Sequence, residues 1–260
     1  MPSVSESLAK AVKHHQAGEL QEAERLYRRI VRRDSGHADA LHLLGVVAHQ
    51  RRRNTDAVNY ISRAIAANGT QAAYYSNLAA AQLALGDAEQ AIDSAQAAIR
   101  IAPDYAGAWY NLSMALQARG QLQPAVDALQ QALRHNPQLA EARNNLGNLL
   151  IAQGRIAEAI EHLRSATQLR PTSADFHYNL ANALHKHGEP EAALSSYRES
   201  LRLNPNGAET HNNLGTVFAS RGQLRDALQH FENAVRLKPD YSAAQANLRR
   251  ARALLSQQGE

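Results

Sequence analysis

The sequence predicts an all-α solenoid of stacked helical hairpins, and three observations carry that prediction. The chain repeats itself at a period of 34 residues, in seven copies running from Val4 to Tyr241. The twentieth position of the period is alanine in every copy: Ala23, Ala57, Ala91, Ala125, Ala159, Ala193 and Ala227. Apolar or small residues recur at helical spacing twice per copy, and the two runs are punctuated by glycine and then by proline.

The first run is a helix in which positions 4, 7, 8 and 11 share one face. Position 7 is Leu44, Leu78, Leu112, Leu146, Leu180 and Leu214 after Lys10 in the first copy. Position 8 is always small, from Ala11 and Gly45 to Gly215. Glycine at position 15 (Gly18, Gly86, Gly120, Gly154, Gly188, Gly222) supplies a turn of positive φ and is replaced once, by Arg52. The second run is a helix with positions 20, 24 and 27 on one face, for example Ala159, Leu163 and Ala166. Proline at position 32 (Pro103, Pro137, Pro171, Pro205, Pro239) ends that helix. Small residues at positions 8 and 20 allow the paired helices to approach closely. One such hairpin cannot bury its apolar face alone, so stacking must supply the core. The expected units are 4–37, 38–71, 72–105, 106–139, 140–173, 174–207 and 208–241. Residues 242–257 follow as a capping helix with Leu248, Ala251 and Leu255 on one stripe and Arg249 and Arg252 where an eighth unit would need small or apolar residues.

These positions, with Trp109 at 4, Ala125 at 20 and Pro137 at 32, resemble the tetratricopeptide repeat over residues 4–241. The resemblance implies a right-handed superhelix with first helices inside and second helices outside. The first two copies depart most, with Lys10, Arg52 and no proline at position 32.

If positions 4, 7, 8 and 11 pack inward, positions 2, 6, 9 and 13 line the opposite face. Position 6 is asparagine from the third copy onward: Asn77, Asn111, Asn145, Asn179 and Asn213, continued by Asn247 in the tail. Asn148 and Asn182 stand at position 9. Asparagine is a mediocre helix former, so a column of it within helices calls for a reason. A carboxamide both donates and accepts, matching the N–H and C=O of a peptide unit. One per repeat could grip an extended backbone, provided neighbouring helices do not already occupy it. The row is similar to the asparagine ladder of the O-linked N-acetylglucosamine transferases, in motifs such as YNLANAL and NNLGNLL. That resemblance implies presentation of extended polypeptide. The 260 residues hold no glycosyltransferase domain, so catalysis is not implied. A plain solvated face is the alternative reading. Asp175 and Glu209, with Asp39 and Glu141 at position 2, would favour basic segments in a partner, or else compensate helix dipoles. The first two copies offer Ala9, Val12, Leu43 and Val46 instead, an end for a hydrophobic anchor, a second subunit or local packing.

The expected function is a non-catalytic adaptor that binds polypeptide along this face. The alternatives are a substrate-recognition arm of a glycosyltransferase and a scaffold that self-associates. GxSxG, P-loop and GxGxxG motifs are missing, and zero cysteines exclude thiolate chemistry. The twelve histidines form no carboxylate–histidine constellation at ligand spacing, so neither metal nor cofactor is expected. A net charge of +4 is too weak to imply nucleic acid. Arg51-Arg52-Arg53, with Arg28, Arg29, Arg32 and Arg33, reads as a solvated basic rim, or as a place to dock an acidic protein. No long apolar run or leader-like segment is present, so the expected location is cytoplasmic and away from membranes.

Overall fold

The computed structural model describes residues 3–257, and among these there are fifteen helices and no strand. The chain divides into two compact units, Met1–Pro137 and Gln138–Glu260. In the first, α1 (Val4–Gln16) pairs with α2 (Leu20–Arg33) and α3 (Ala38–Gln50) with α4 (Asn54–Ala67). Next come α5 (Ala72–Ala84) with α6 (Ala88–Ile101), and α7 (Ala106–Ala118) with α8 (Leu122–His135). In the second, the pairs are α9 (Ala140–Ala152) with α10 (Ile156–Leu169), α11 (Ala174–His187) with α12 (Pro190–Leu203), and α13 (Ala208–Ser220) with α14 (Leu224–Leu237). The last helix, α15 (Ser242–Gln257), packs on α13 and α14. It buries Ala244, Ala251 and Leu255 there and half-buries Leu248.

Every hairpin turns in the same way. The residue after position 15 donates its N–H five residues back, as in Glu19 to His14 at 2.9 Å and Arg155 to Leu150 at 2.9 Å. The residue it spans has positive φ, between 71° and 88° at the six glycines and 59° at Arg52. This is the left-handed closure that glycine adopts without steric cost. Arg52 bears a Cβ in that region, which costs roughly 1–2 kcal/mol. Arg52→Gly is therefore expected to stabilise the protein by about 1 kcal/mol and raise its melting temperature by about 2–4 °C. A thermal melt followed by circular dichroism checks this, and an unchanged or lower midpoint would contradict it.

The close approach within each pair is real and specific. A Cβ on Gly147 would lie 2.5 Å from Leu163 Cγ and 3.2 Å from the Ala159 carbonyl oxygen. Gly45 meets Ile61 and the Ala57 carbonyl in the same way, and Gly215 meets Phe231 and Ala227. Position 8 thus touches the backbone at position 20, which explains the invariant alanine there.

The buried arc of the first helices is wider than the spacing of positions 4, 7, 8 and 11 suggests. Positions 3 and 10 are also buried, as Tyr74, Ala108, Phe176, Val47, Leu149 and Val217 show. The reason is that a first helix packs on its own partner and also on the second helix of the preceding pair within a unit, as α5 does on α4 and α11 on α10, where Tyr74 meets Ile61 and Ala64 and Phe176 meets Ala166. Position 4, expected in the core, is instead half-buried at Trp109, His177 and His211. There the Trp109 indole donates to the Pro103 carbonyl at 2.7 Å and the Gln245 amide to Pro239 at 2.6 Å. His177 and His211 face Pro171 and Pro205 at 3.0 and 3.4 Å. Position 4 ties down the carbonyl of the proline that ended the previous second helix. At the N-terminal end, Val12 and Leu43 pack against the first core cluster and are not free for an apolar ligand.

Candidate interaction surface

The asparagine row lies on the first helices, and its members are half-buried. Their amide groups do not all point outward. Asn77 Nδ2 lies 2.8 Å from His42 Nε2, and Asn111 Nδ2 donates to the Ser76 carbonyl and hydroxyl, both at 2.9 Å. Asn179 Nδ2 donates to Asn144 Oδ1 at 2.9 Å, and Asn247 Nδ2 to Asn212 Oδ1 at 2.9 Å. Asn213 Nδ2 donates to the Tyr178 hydroxyl at 3.1 Å and to Asn182 Oδ1 at 2.9 Å. Apart from the bond to Asn182, every acceptor stands 35 residues earlier, at position 5 of the preceding copy.

This corrects the expectation of carboxamides open at both ends. The amino groups of Asn77, Asn111, Asn179 and Asn213 are engaged by the neighbouring first helix, where a buried or half-buried acceptor would otherwise lack a partner. Their bonds leave the carbonyl oxygens of Asn77, Asn111 and Asn179 unpaired among the described residues. Asn145 and Asn213 receive on that oxygen the amides of Asn144 and Asn212, at 3.3 and 3.1 Å. Asn182 is turned the other way: its oxygen accepts the Tyr197 hydroxyl at 2.5 Å as well as Asn213, and its amino group is the end without a partner among the described residues. Asn148, half-buried at the same position of the preceding pair, makes no side-chain hydrogen bond among the described residues. The position-5 acceptors His42, Ser76, Asn144, Tyr178 and Asn212 escaped the sequence reading. They are not of one residue type and have in common the ability to accept.

His42 illustrates the constraint. It is buried, stacked on Tyr74 with ring centroids 4.4 Å apart, and can accept from Asn77 only while Nε2 is unprotonated. Burial, with a smaller push from His15, outweighs the opposing Asp39 and lowers its pKa to about 4.

The acidic row is also partly occupied. The Lys238 ammonium lies 2.9 Å from Glu209 and holds its carboxyl below the usual range. Arg170 pairs with Glu141, and the Tyr74 hydroxyl donates to Asp39. Among the described residues, only Asp175 of the four keeps an unpaired carboxylate, and Glu209 is not an open acidic contact. These partners come from the end of the second helix or from the following copy, positions that the one-helix reading did not consider.

The basic rim is likewise more organised than expected. Arg28, Arg51 and Arg53 converge on Glu24, which is 7% exposed. Burial pushes the Glu24 carboxyl up, but hydrogen bonds from Arg53, Arg28 and Arg51 outweigh it and hold it low.

Profiles of the tetratricopeptide repeat match residues 8–73, 50–106, 82–149, 116–164, 174–206 and 208–241, and a TPR repeat profile matches 147–188. No curated protein matches the chain at a significant level. Among solved structures, the chain is similar to one of the Cut9–Hcn1 hetero-tetramer of the APC/C. The TM-score is 0.79 at 20% identity over 93% of this chain, which spans 48% of that one. It is also similar to PilF of Pseudomonas aeruginosa (TM-score 0.73, 19% identity, 82% of this chain and 97% of that one). A third is YrrB, described as a TPR protein with an unusual peptide-binding site (0.63, 22%, 72% and 96%). No helix among the described residues is long and apolar enough to cross a membrane. With repeat profiles along residues 8–241 and a fold of antiparallel helix pairs, the chain belongs to the tetratricopeptide-repeat family.

Proposed function

We propose that the protein is a non-catalytic adaptor that binds extended polypeptide along the asparagine-lined face of its first helices. Repeats of this family generally mediate protein–protein contacts, and YrrB carries a peptide-binding site on the same fold. The observation that carries the reading is that bonds within the chain occupy one end of these carboxamides and leave the other open. Asn77, Asn111 and Asn179 offer carbonyl oxygens, which accept backbone N–H groups, Asn182 offers its amino group, which donates to a backbone carbonyl, and Asn148 offers both. In the second unit Asn179 and Asn182 stand one turn apart on α11, an acceptor and a donor side by side, as a peptide unit requires. Asn145 and Asn213 extend the row, and Asp175 favours a basic side chain. Each bond is worth about 0.5–1.5 kcal/mol net, so several must act together.

Replacing Asn145, Asn179 and Asn213 together by alanine tests the reading. Crosslinking mass spectrometry on native lysate with tagged wild-type protein identifies the partner, and the triple variant is expected to lose it. The variant is also expected to be less stable by about 1 kcal/mol per lost interhelical bond, so binding is compared at a temperature where circular dichroism shows both proteins folded. Capture undiminished in the folded variant would refute the role of this row.

A further inference from the structure

The chain carries its positive charge in one place. Residues 24–63 hold nine arginines against four carboxylates, a local balance of +5 in a protein whose net charge is +4. None of those four carboxylates pairs with Arg32 of α2 or Arg63 of α4. Glu24 is buried under Arg28, Arg51 and Arg53, and Asp34 accepts from the Gly36 N–H. Asp39 accepts from Tyr74, and Asp56 pairs with Arg53.

Between α2 and α4 lies a groove of about 310 Å³ lined by Arg28, Val31, Arg32, Leu44, Tyr60 and Arg63. Its floor is apolar: Leu44 is fully buried, and Val31 and Tyr60 are half-buried. Its walls are three exposed guanidiniums with no carboxylate among the lining residues. Arg32 makes only a weak bond from Nε to the Arg28 carbonyl at 3.4 Å. Arg63 makes one to the Ser35 carbonyl at 3.5 Å while its guanidinium lies 5.9 Å from the centre of the Tyr60 ring. Among the described residues, most of the N–H donors on both side chains therefore have no partner, and Arg32 and Arg63 have no counter-charge.

We infer that this groove is a second docking surface, distinct from the asparagine face, for an acidic polypeptide segment that carries an apolar side chain. Charge complementarity selects the partner. Arginine forks pair bidentately with carboxylates, and the Val31–Leu44–Tyr60 floor takes an aliphatic side chain. That floor argues against a phosphodiester backbone as occupant. The only ring in it lies beneath Arg63, which blocks it as a stacking platform for bases.

The probe is a fluorescein-labelled peptide of four Glu-Glu-Leu triplets, titrated by fluorescence anisotropy into the full chain. Binding is expected to weaken with rising salt. It is expected to fall roughly tenfold or more in Arg32→Glu/Arg63→Glu, with Arg32→Gln/Arg63→Gln as the milder pair should the charge reversal impair folding. Arg100→Glu/Arg134→Glu makes the same charge change elsewhere in the first unit and is expected to leave binding unchanged. A peptide of Glu-Glu-Gln triplets is expected to bind more weakly, for want of the apolar contact. Lack of binding by the Glu-Glu-Leu peptide, or equal loss in the Arg100/Arg134 variant, would overturn the inference. So would tighter binding of oligothymidylate or of phosphatidylserine vesicles at Arg32 and Arg63.

Discussion

Gly147→Val is expected to destabilise the protein by about 1–3 kcal/mol and to lower its melting temperature by about 2–12 °C. The Cβ alone would sit 2.5 Å from Leu163 Cγ and 2.9 Å from Cδ2, with the Ala159 carbonyl oxygen at 3.2 Å on the other side. Leu163 is fully buried, and a β-branched side chain on a helix has little rotamer freedom with which to evade it. Better helix propensity than glycine offsets only part of the clash. The same helix pair two copies earlier shows the remedy. Position 8 is Ala79 and position 24 is Ala95, both fully buried. Adding Leu163→Ala to Gly147→Val is therefore expected to cost less than the sum of the two single changes. A double-mutant cycle measured by urea denaturation checks this, and strict additivity would show that the two side chains do not contest the same space.

Acid is expected to destabilise the first unit through His42. The folded protein lowers its pKa to about 4, whereas an unfolded chain has the ordinary value of about 6.5. A folded-state value below the unfolded one means that the native fold favours the neutral ring. The stabilisation is complete above pH 6.5 and is lost as the pH falls from there toward 4. The difference corresponds to at most about 3 kcal/mol. Protonation also turns Nε2 from acceptor to donor, which sets it against the Asn77 amino group. His230 gives the second unit a slope of the same sign: burial, with the neighbouring His211, lowers its pKa to about 4, and its ring lies parallel to Phe218 at 5.4 Å. His42→Gln keeps an acceptor for Asn77 without a titrating ring, so its stability is expected to fall less between pH 6.5 and 4. Denaturant midpoints measured across that interval would show parallel curves for the variant and the parent if His42 played no part.

The repeating helices were legible in the sequence because the period forces the same packing problem to be solved again in each copy. Alanine at position 20 and small residues at position 8 record one interhelical distance, and glycine at position 15 records one backbone conformation. Arg52 departs from the pattern in sequence and still obeys it in space, since cooperative packing of α3 on α4 holds it at positive φ. What could not be read was anything decided between copies. The burial of positions 3 and 10, the tie from Trp109 to Pro103 and the capture of asparagine amides at position 5 all depend on the neighbouring pair. No residue type marks them. His42, Ser76, Asn144, Tyr178 and Asn212 look unrelated until their shared acceptor role is placed opposite Asn77, Asn111, Asn179, Asn213 and Asn247. The pairing of Glu209 with Lys238 was hidden for a similar reason: a helical wheel treats one helix and omits the loop 29 residues later that folds back over it.

The tolerance of that seam bears on how such a chain can change in length. An amino group that is satisfied equally by an imidazole nitrogen, a serine hydroxyl or an amide oxygen does not distinguish which copy precedes it. Excising residues 72–105 in frame would bring Asn111 opposite His42, again a donor facing an acceptor, with no orphaned polar atom at the join. Unequal recombination could thus shorten or lengthen the array by whole modules without a second, compensating mutation, which makes the number of copies an evolvable quantity.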